Sequence, residues 1–479
     1  MSFQFVDNSD INRKARKLIR SHVMKGKNCG KVRVKRDRNP RPTVDKSIVP
    51  YGIRNTPSDN ETSIGAWGNP KCKSSILAVA RQLANDMSLL SLSSMMAIAP
   101  QTMLHLRQLA FFVLDVISPA EFCQHTGVTE WMWFQLTFSD EASMASACAA
   151  FVTGDSRHSP VALHHMSKVY RLVNERLSGN EALSDTTIAV VASINIYDRL
   201  YGDPQKALVH LNGVTRMIAL KGGVRELAKR NFVIAEKAFR SDIELALHCG
   251  IKPKFSSDDV PRHLILVHPK DCPARHNHEE DEFVASVLYQ LVRAELRDVV
   301  LDTLRFSHLL DRASHGRKLD PAAYQSTIIY ISYRLLEIKL PHDSSGANDD
   351  FNTLIQLAMT GFQNTFCYGI GRKLITFPLL MERFRSVAQI ISEHNRPRKM
   401  VIFWALLMGR ISSLANGDDD LWLIPKLKIL AHELGLHTWS AASDAFREFP
   451  WVKVAHEPQG EAFWNTAIAQ PQLFNLVGL

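Results

Sequence analysis

Apolar residues recur along most of the chain at steps of three and four, the spacing of one face of an α-helix. Between Ser159 and Leu177 the row is Leu163, Met166, Tyr170, Val173 and Leu177, and Gly179 supplies a stop. Ser184-Asp185 offers the next start, for a helix carrying Ile188, Val191, Ala192 and Tyr197. Asp203 followed by Pro204 is a stronger one: the carboxylate accepts an orphan N–H, and proline suits the first helical position. Ala207, Leu211, Val214 and Ile218 then share a face until Gly222-Gly223. A further row with Phe239, Ile243 and Leu247 runs to about Cys249 and ends at Gly250.

From Gly250 to Asp281 the period fails, with prolines at 253, 261, 269 and 273. Only His263 to His268 looks briefly strand-like, so the segment reads as an internal loop or a boundary between two lobes. Helical spacing resumes over about 280–313, 320–340, 349–368, 373–393, 397–415 and 419–435, and the tail is aromatic at Trp439, Phe446, Phe449, Trp451 and Trp464. No alternating β-branched run competes with this pattern. Residues 71–479 are therefore expected to be one large all-α domain of antiparallel packed helices.

The N-terminal part is different. Ile11, Ala15, Leu18, Ile19, His22 and Val23 line one side of a short amphipathic helix over 10–25, with Gly26 to end it. Five prolines between Asn39 and Pro70 mark a linker, set at 43–70. The 479 residues are 46% hydrophobic and carry a formal charge of +9. Thirteen basic residues fall between Arg13 and Arg41 (Arg13, Lys14, Arg16, Lys17, Arg20, Lys25, Lys27, Lys31, Arg33, Lys35, Arg36, Arg38 and Arg41), against one acid, Asp37. Taking these from the 57 basic and 48 acidic residues leaves 44 and 47, a net of −3 for everything else. Residues 1–42 thus read as a basic, largely disordered arm on a near-neutral body.

Three partners suit such an arm. Clustered cations release counterions on binding nucleic-acid phosphates, which gives contact with little sequence preference. The blocks 13–17 and 31–38 suit a nuclear-import receptor. A membrane surface or a calmodulin-type groove would use the amphipathic helix, whose apolar side lacks Trp and Phe. No membrane partner is expected.

Candidate chemistry is sparse. The seven cysteines lie at least 23 positions apart and fit neither C-x-x-C nor zinc-finger spacing. With no apolar leader at the N-terminus and no uninterrupted membrane-length stretch, a reducing, intracellular setting is expected. His432-Glu433 followed by His437 has the spacing H-E-x-x-x-H, which puts the second imidazole off the zinc-binding face. Gly369-Ile370-Gly371 lacks a dinucleotide fingerprint, and there is no G-x-S-x-G. His263, His268, Cys272, His276 and His278, followed by Glu279, Glu280 and Asp281, could offer zinc ligands, but without a standard ligand spacing they read as a polar surface loop in which histidines crowd. No metal, cofactor or catalytic residue is assigned.

One stretch carries a family likeness. From Gly202 the chain reads GDPQKALVHLNGVTRMIALKGGVREL, followed by Arg240-Ser241-Asp242 and Ala246. This resembles the middle of the fungal-specific transcription factor domain, where a helix ends in H-L-x-G-x-x-x-M-(I/V)-x-L-(R/K)-G-G. The matching positions are His210, Leu211, Gly213, Met217, Ile218, Leu220, Lys221, Gly222 and Gly223. Trp404, Gly409, Trp422, Trp439, Phe449 and Trp451 look like the same family's closing helices. Phe5-Val6 and Ile19 to Met24 resemble the arm of members without a zinc cluster. The likeness spans about residues 1–35 and 74–470.

The resemblance implies a nuclear transcriptional regulator of a filamentous fungus, with a helical domain for regulation, dimerisation or contact with other transcription factors. Within the motif, Gly213 is expected to allow close helix packing, Gly222-Gly223 to cap, and His210 to be a hydrogen-bonded core or interface residue. The sequence departs from the family in one respect: the arm offers Cys29 alone where a binuclear zinc cluster needs six closely spaced cysteines. A helical scaffold that does not bind DNA is the alternative.

Overall fold

A computed structural model describes residues 117–124, 140–143, 145–146, 160–200, 203–267, 282–339, 347–367, 376–412 and 414–469. The arm, the linker and the body up to residue 116 lie outside the described residues. Helices form where the start signals stand. The first is α1 (Pro160–Leu177), followed by α2 (Asp185–Leu200), at whose start the Ser184 hydroxyl accepts the Thr187 N–H. Asp203 caps α3 (Pro204–Leu220) through the N–H of Lys206 at 3.0 Å. Then come α4 (Val224–Arg230) and α5 (Phe232–Cys249), which ends at Gly250 in the left-handed region, φ 65°.

After a looped stretch the chain continues as α6 (Val287–Leu291), α7 (Ala294–His315) and α8 (Pro321–Glu337), the last capped by Asp320. The remaining helices are α9 (Ala347–Cys367), α10 (Pro378–Ile390), α11 (Arg396–Ile411), α12 (Asp420–Leu434), α13 (Trp439–Ala445) and α14 (Lys453–Phe463), with a π-turn over Trp464–Ile468. The fold is all-α: the described residues contain no strand, only an isolated bridge between Cys123 and Leu319. No helix among them is long and apolar enough to cross a membrane.

Sequential helices fold back on one another, α2 against α3 and α8 against both α7 and α9. α5 is enclosed by α2, α3, α8 and α10. One hydrophobic cluster runs from Phe122 to Ile468, with residues from both sides of the 250–281 segment in it. Its centre is aromatic: Trp404 is fully buried, donates its indole N–H to the Pro450 carbonyl at 3.2 Å and stacks on Phe449. Phe362, Phe366 and Trp451 surround His456, whose Nδ1 accepts the Val452 N–H. Gly409 of α11 has the Phe384 ring where a Cβ would stand, so only glycine admits this approach of α10 and α11.

Several expectations need correction. The stretch over His263–His268 is no strand in its described part: Arg262–Leu264 form a 3-10 turn, because Pro261 and the surrounding polar groups favour local bonds over a ladder that has no partner. The helix expected over 280–313 is interrupted, since the Ser286 side chain caps Tyr289 N–H and Arg293 takes an extended conformation that starts α7 afresh. The row expected on α1 is split: Met166 and Val173 are buried, whereas Leu163, Tyr170 and Leu177 stay exposed on its flank. Steps of three and four sample an arc wide enough to straddle the edge of the core.

Candidate functional site

The basic residues Arg13, Lys14, Arg16, Lys17, Arg20, Lys25, Lys27, Lys31, Arg33, Lys35, Arg36 and Arg38 lie outside the described residues, as do His268, Cys272, His276 and His278. His263 is exposed on its 3-10 turn. No group of three metal-ligating side chains occurs among the described residues. Gly435, in the left-handed region at φ 74°, ends α12 between His432 and His437, and Glu433 is engaged with Lys399 at 3.0 Å.

The family-motif residues occupy α3 and the turn after it. His210 Nδ1 lies 2.8 Å from the carboxylate of Asp198 on α2, and its ring stacks on Tyr170 of α1 at 6.2 Å. Partial burial against its neighbours first, and then the nearby Asp198, push the Tyr170 hydroxyl up to about 12. His210 is thus an interface residue joining three helices. Gly222 and Gly223 turn the chain into α4 at φ 101° and 92°, angles that side chains with a Cβ seldom adopt. Gly213 does not serve close packing among the described residues: a Cβ there would meet nothing within 4 Å. Lys221, also in the motif, pairs with Asp185 at 2.5 Å. Burial opposes ionisation of Asp185, yet hydrogen bonds from Lys221 and Arg230 hold its pKa below the usual carboxylate range.

The unusual chemistry lies on α5. Its sequence, FVIAEKAFRSDIELALHC, has an apolar row at Phe239, Ile243 and Leu247, which leaves the charged residues for solvent in an ordinary amphipathic helix. The surrounding helices instead bury nearly every position, including Glu236, Asp242 and Glu244. Each charge has found a different answer. Asp242 accepts the N–H groups of Lys254 and Phe255 at 2.9 Å and the Tyr333 hydroxyl at 3.0 Å, so it ties the loop after Gly250 to α5 and α8. Glu244 makes a close ion pair with Arg199 of α2, both side chains less than a tenth exposed.

Arg240 donates to the Gln325 carboxamide at 3.4 Å and to the Cys367 carbonyl, joining α5 to α8 and α9. Its guanidinium is only 3.8 Å from Glu236, too far for a hydrogen bond. Burial pushes the Glu236 carboxyl up to about 7, against the pull of Arg240 and Lys237. Lys237 has its ammonium enclosed and donating to Ser193 at 2.8 Å, and burial brings it down to about 8. One carboxyl and one amine on adjacent residues therefore titrate close to neutrality.

Elsewhere on α5, α8 and α9, the Ser241, Tyr324 and Ser326 hydroxyls and both ends of the Gln363 carboxamide are buried without a hydrogen-bond partner among the described residues. Burial raises the Cys367 thiol to about 12 and keeps it protonated, which makes it a poor nucleophile. The arrangement suits the holding of charge, the exchange of a proton or the recognition of a small polar group. Two surface cavities lie elsewhere, one of about 420 Å³ between α9 and α10 and one of about 240 Å³ bounded by Val292, Arg293, Asn352 and Arg398. Sequence reasoning passed over Glu236, Lys237 and Glu244; the one signal was the triplet Arg240-Ser241-Asp242, which carries charge on the apolar side of the period. Set against models of known protein families, curated proteins and solved structures, the chain matches none of them.

Proposed function

We propose that this protein is a transcriptional regulator of the fungal-specific transcription factor domain kind, whose all-α body acts as a regulatory and partner-binding module and whose basic arm engages nucleic acid or the nuclear-import machinery. The observation that carries this reading is the segregation of charge, with thirteen cations against one acid in residues 13–41 and a net of −3 in all other residues. Such an arm binds phosphates by counterion release with little base readout. The buried ionic cluster on α5 supports a regulatory body, since groups titrating near neutrality at a helix junction make its stability responsive to protons or small polar molecules.

Two measurements test this. A fluorescently tagged chain should accumulate in the nucleus, and removal of residues 1–42 should abolish that; uniform cytoplasmic distribution of the intact chain overturns the reading. In a DNA-binding titration against salt, neutralising Arg13, Lys14, Arg16 and Lys17 should flatten the slope of log K on log salt by about 3 to 4. An unchanged slope removes DNA contact from the proposal. The scaffold reading rests on Cys29 being the arm's single cysteine, which denies it a zinc cluster. It predicts nuclear import without chromatin occupancy.

A further inference from the structure

The larger surface cavity, about 420 Å³, lies in the seam between the first turns of α9 and α10. That volume is within the roughly 300–1,000 Å³ that small-molecule sites occupy. Its charged lining among the described residues is Asp350 from α9 with Glu382 and Arg383 from α10. None of these is in an ion pair with a described residue, although acids and bases at other helix junctions have closed on one another, as Arg410 with Asp420 and Arg398 with Glu393. The other cation of α10, Arg385, is held by Asp419 at 2.6 Å, with Asp418 and Glu382 in its field. Two carboxylates and one guanidinium thus stand around an open gap and leave it net negative. Leu379, Arg383 and Val387 follow at steps of four on α10, which sets the guanidinium stem between two apolar side chains. The Ser386 hydroxyl donates to the Arg383 carbonyl at 2.8 Å, so its oxygen can still accept.

We propose that this seam binds a free basic amino acid, a small molecule with one carboxylate, two cationic nitrogens and an apolar stem between them. Arg383 takes the carboxylate through its planar fork. Glu382, beside it on the helix, takes the α-ammonium, and Asp350 across the seam takes the side-chain cation. The methylenes lie on Leu379 and Val387. The net positive charge of such a ligand neutralises the net negative charge of the gap. Competing molecules each leave a charge unmet: a diamine offers nothing to Arg383, a neutral amino acid brings one cation to two carboxylates, and a dicarboxylic one sets acid against acid. Unmet charge in a shared gap is what discriminates among them. Glu382 and Arg383 are exposed, so water screens these contacts and the affinity is on the order of 100 µM.

Isothermal titration calorimetry of the full 479-residue chain with L-lysine, to about 5 mM, tests this. One molecule should bind per chain. Cadaverine, which lacks the carboxylate, and L-norleucine, which lacks the second cation, should each bind about tenfold more weakly or worse. Arg383→Gln should weaken L-lysine by about tenfold and leave cadaverine unaffected, whereas Asp350→Asn should weaken L-lysine and cadaverine alike and leave L-norleucine unaffected. Arg383 is exposed and Asp350 half-buried, so the circular dichroism and melting temperature of both variants should match those of the parent chain. Absence of binding heat with L-lysine overturns the proposal, as does cadaverine or L-norleucine binding as tightly, or full L-lysine affinity in both variants. The seam belongs to the helical body, so its occupancy and nuclear import through the arm are read independently.

Discussion

α5 and α12 break the amphipathic rule in opposite directions. α5 carries five ionisable residues between Glu236 and Glu244 and is enclosed by other helices; α12 turns Leu421, Pro425 and Ile429 toward water. Neither exception follows from helical period alone, so exposure was decided by position in the bundle. Both exceptions have a physical cost. In α5 it is desolvation of charge, met by partners on α2, α8 and α9. In α12 it is apolar area left in water at Leu421 and Ile429.

The contrast is open to challenge, beginning where the effect is largest. Glu244→Ala should destabilise the fold by about 3–5 kcal/mol in denaturant titrations, because it strands the buried Arg199 guanidinium. Replacing both residues with apolar ones of similar volume should recover most of that loss; equal losses for the single and double variants would mean the pair is solvated.

Next comes pH. Glu236 has its folded pKa raised from 4.5 to about 7, so ionisation opposes folding: the penalty is absent below 4.5 and complete above 7. Glu236→Gln should therefore stabilise the protein at pH 8 by up to about 3 kcal/mol relative to its effect at pH 4. Lys237 runs the other way, with a folded pKa lowered from 10.5 to about 8. Its penalty is complete below 8 and fades toward 10.5, so Lys237→Met should stabilise at pH 6 and lose that advantage at pH 10. Thermal unfolding across these pH values reads both, and flat profiles would place the two groups in water.

A smaller effect is expected at Gly222, where φ 101° makes Gly222→Ala costly by about 1–2 kcal/mol. The smallest is on α12: Leu421→Glu should change monomer stability by less than about 0.5 kcal/mol. A loss comparable to that at Glu244 would show that the outer face of α12 is packed within the chain and would erase the comparison.

Much of the fold was legible. Asp203-Pro204 announced a helix start, Gly250 announced a stop, and the lack of alternating β-branched runs announced an all-α body. These signals are local, since a cap or a left-handed glycine acts within one turn. The breaks at Ser286 and Arg293 were not legible, because a serine can sit in a helix or cap one according to what packs nearby. The α5 cluster was hidden for a related reason: a charge on a helix normally reads as a solvated face, and Asp242, Arg240 and Glu244 find their partners 12, 85 and 45 positions away in the chain.

By itself the sequence determined the helical class, several helix ends and the concentration of positive charge in the first 42 residues, because capping, periodicity and net charge depend on near neighbours or on none. The tertiary structure alone decided which faces are inside. It placed His210 between three helices, left room for a Cβ at Gly213 among the described residues, buried the ions of α5 and exposed Leu421 and Ile429 of α12. The physical reason is that burial belongs to the assembly: every face of a helix is equivalent until another helix covers it, and which one does so depends on residues far away in sequence.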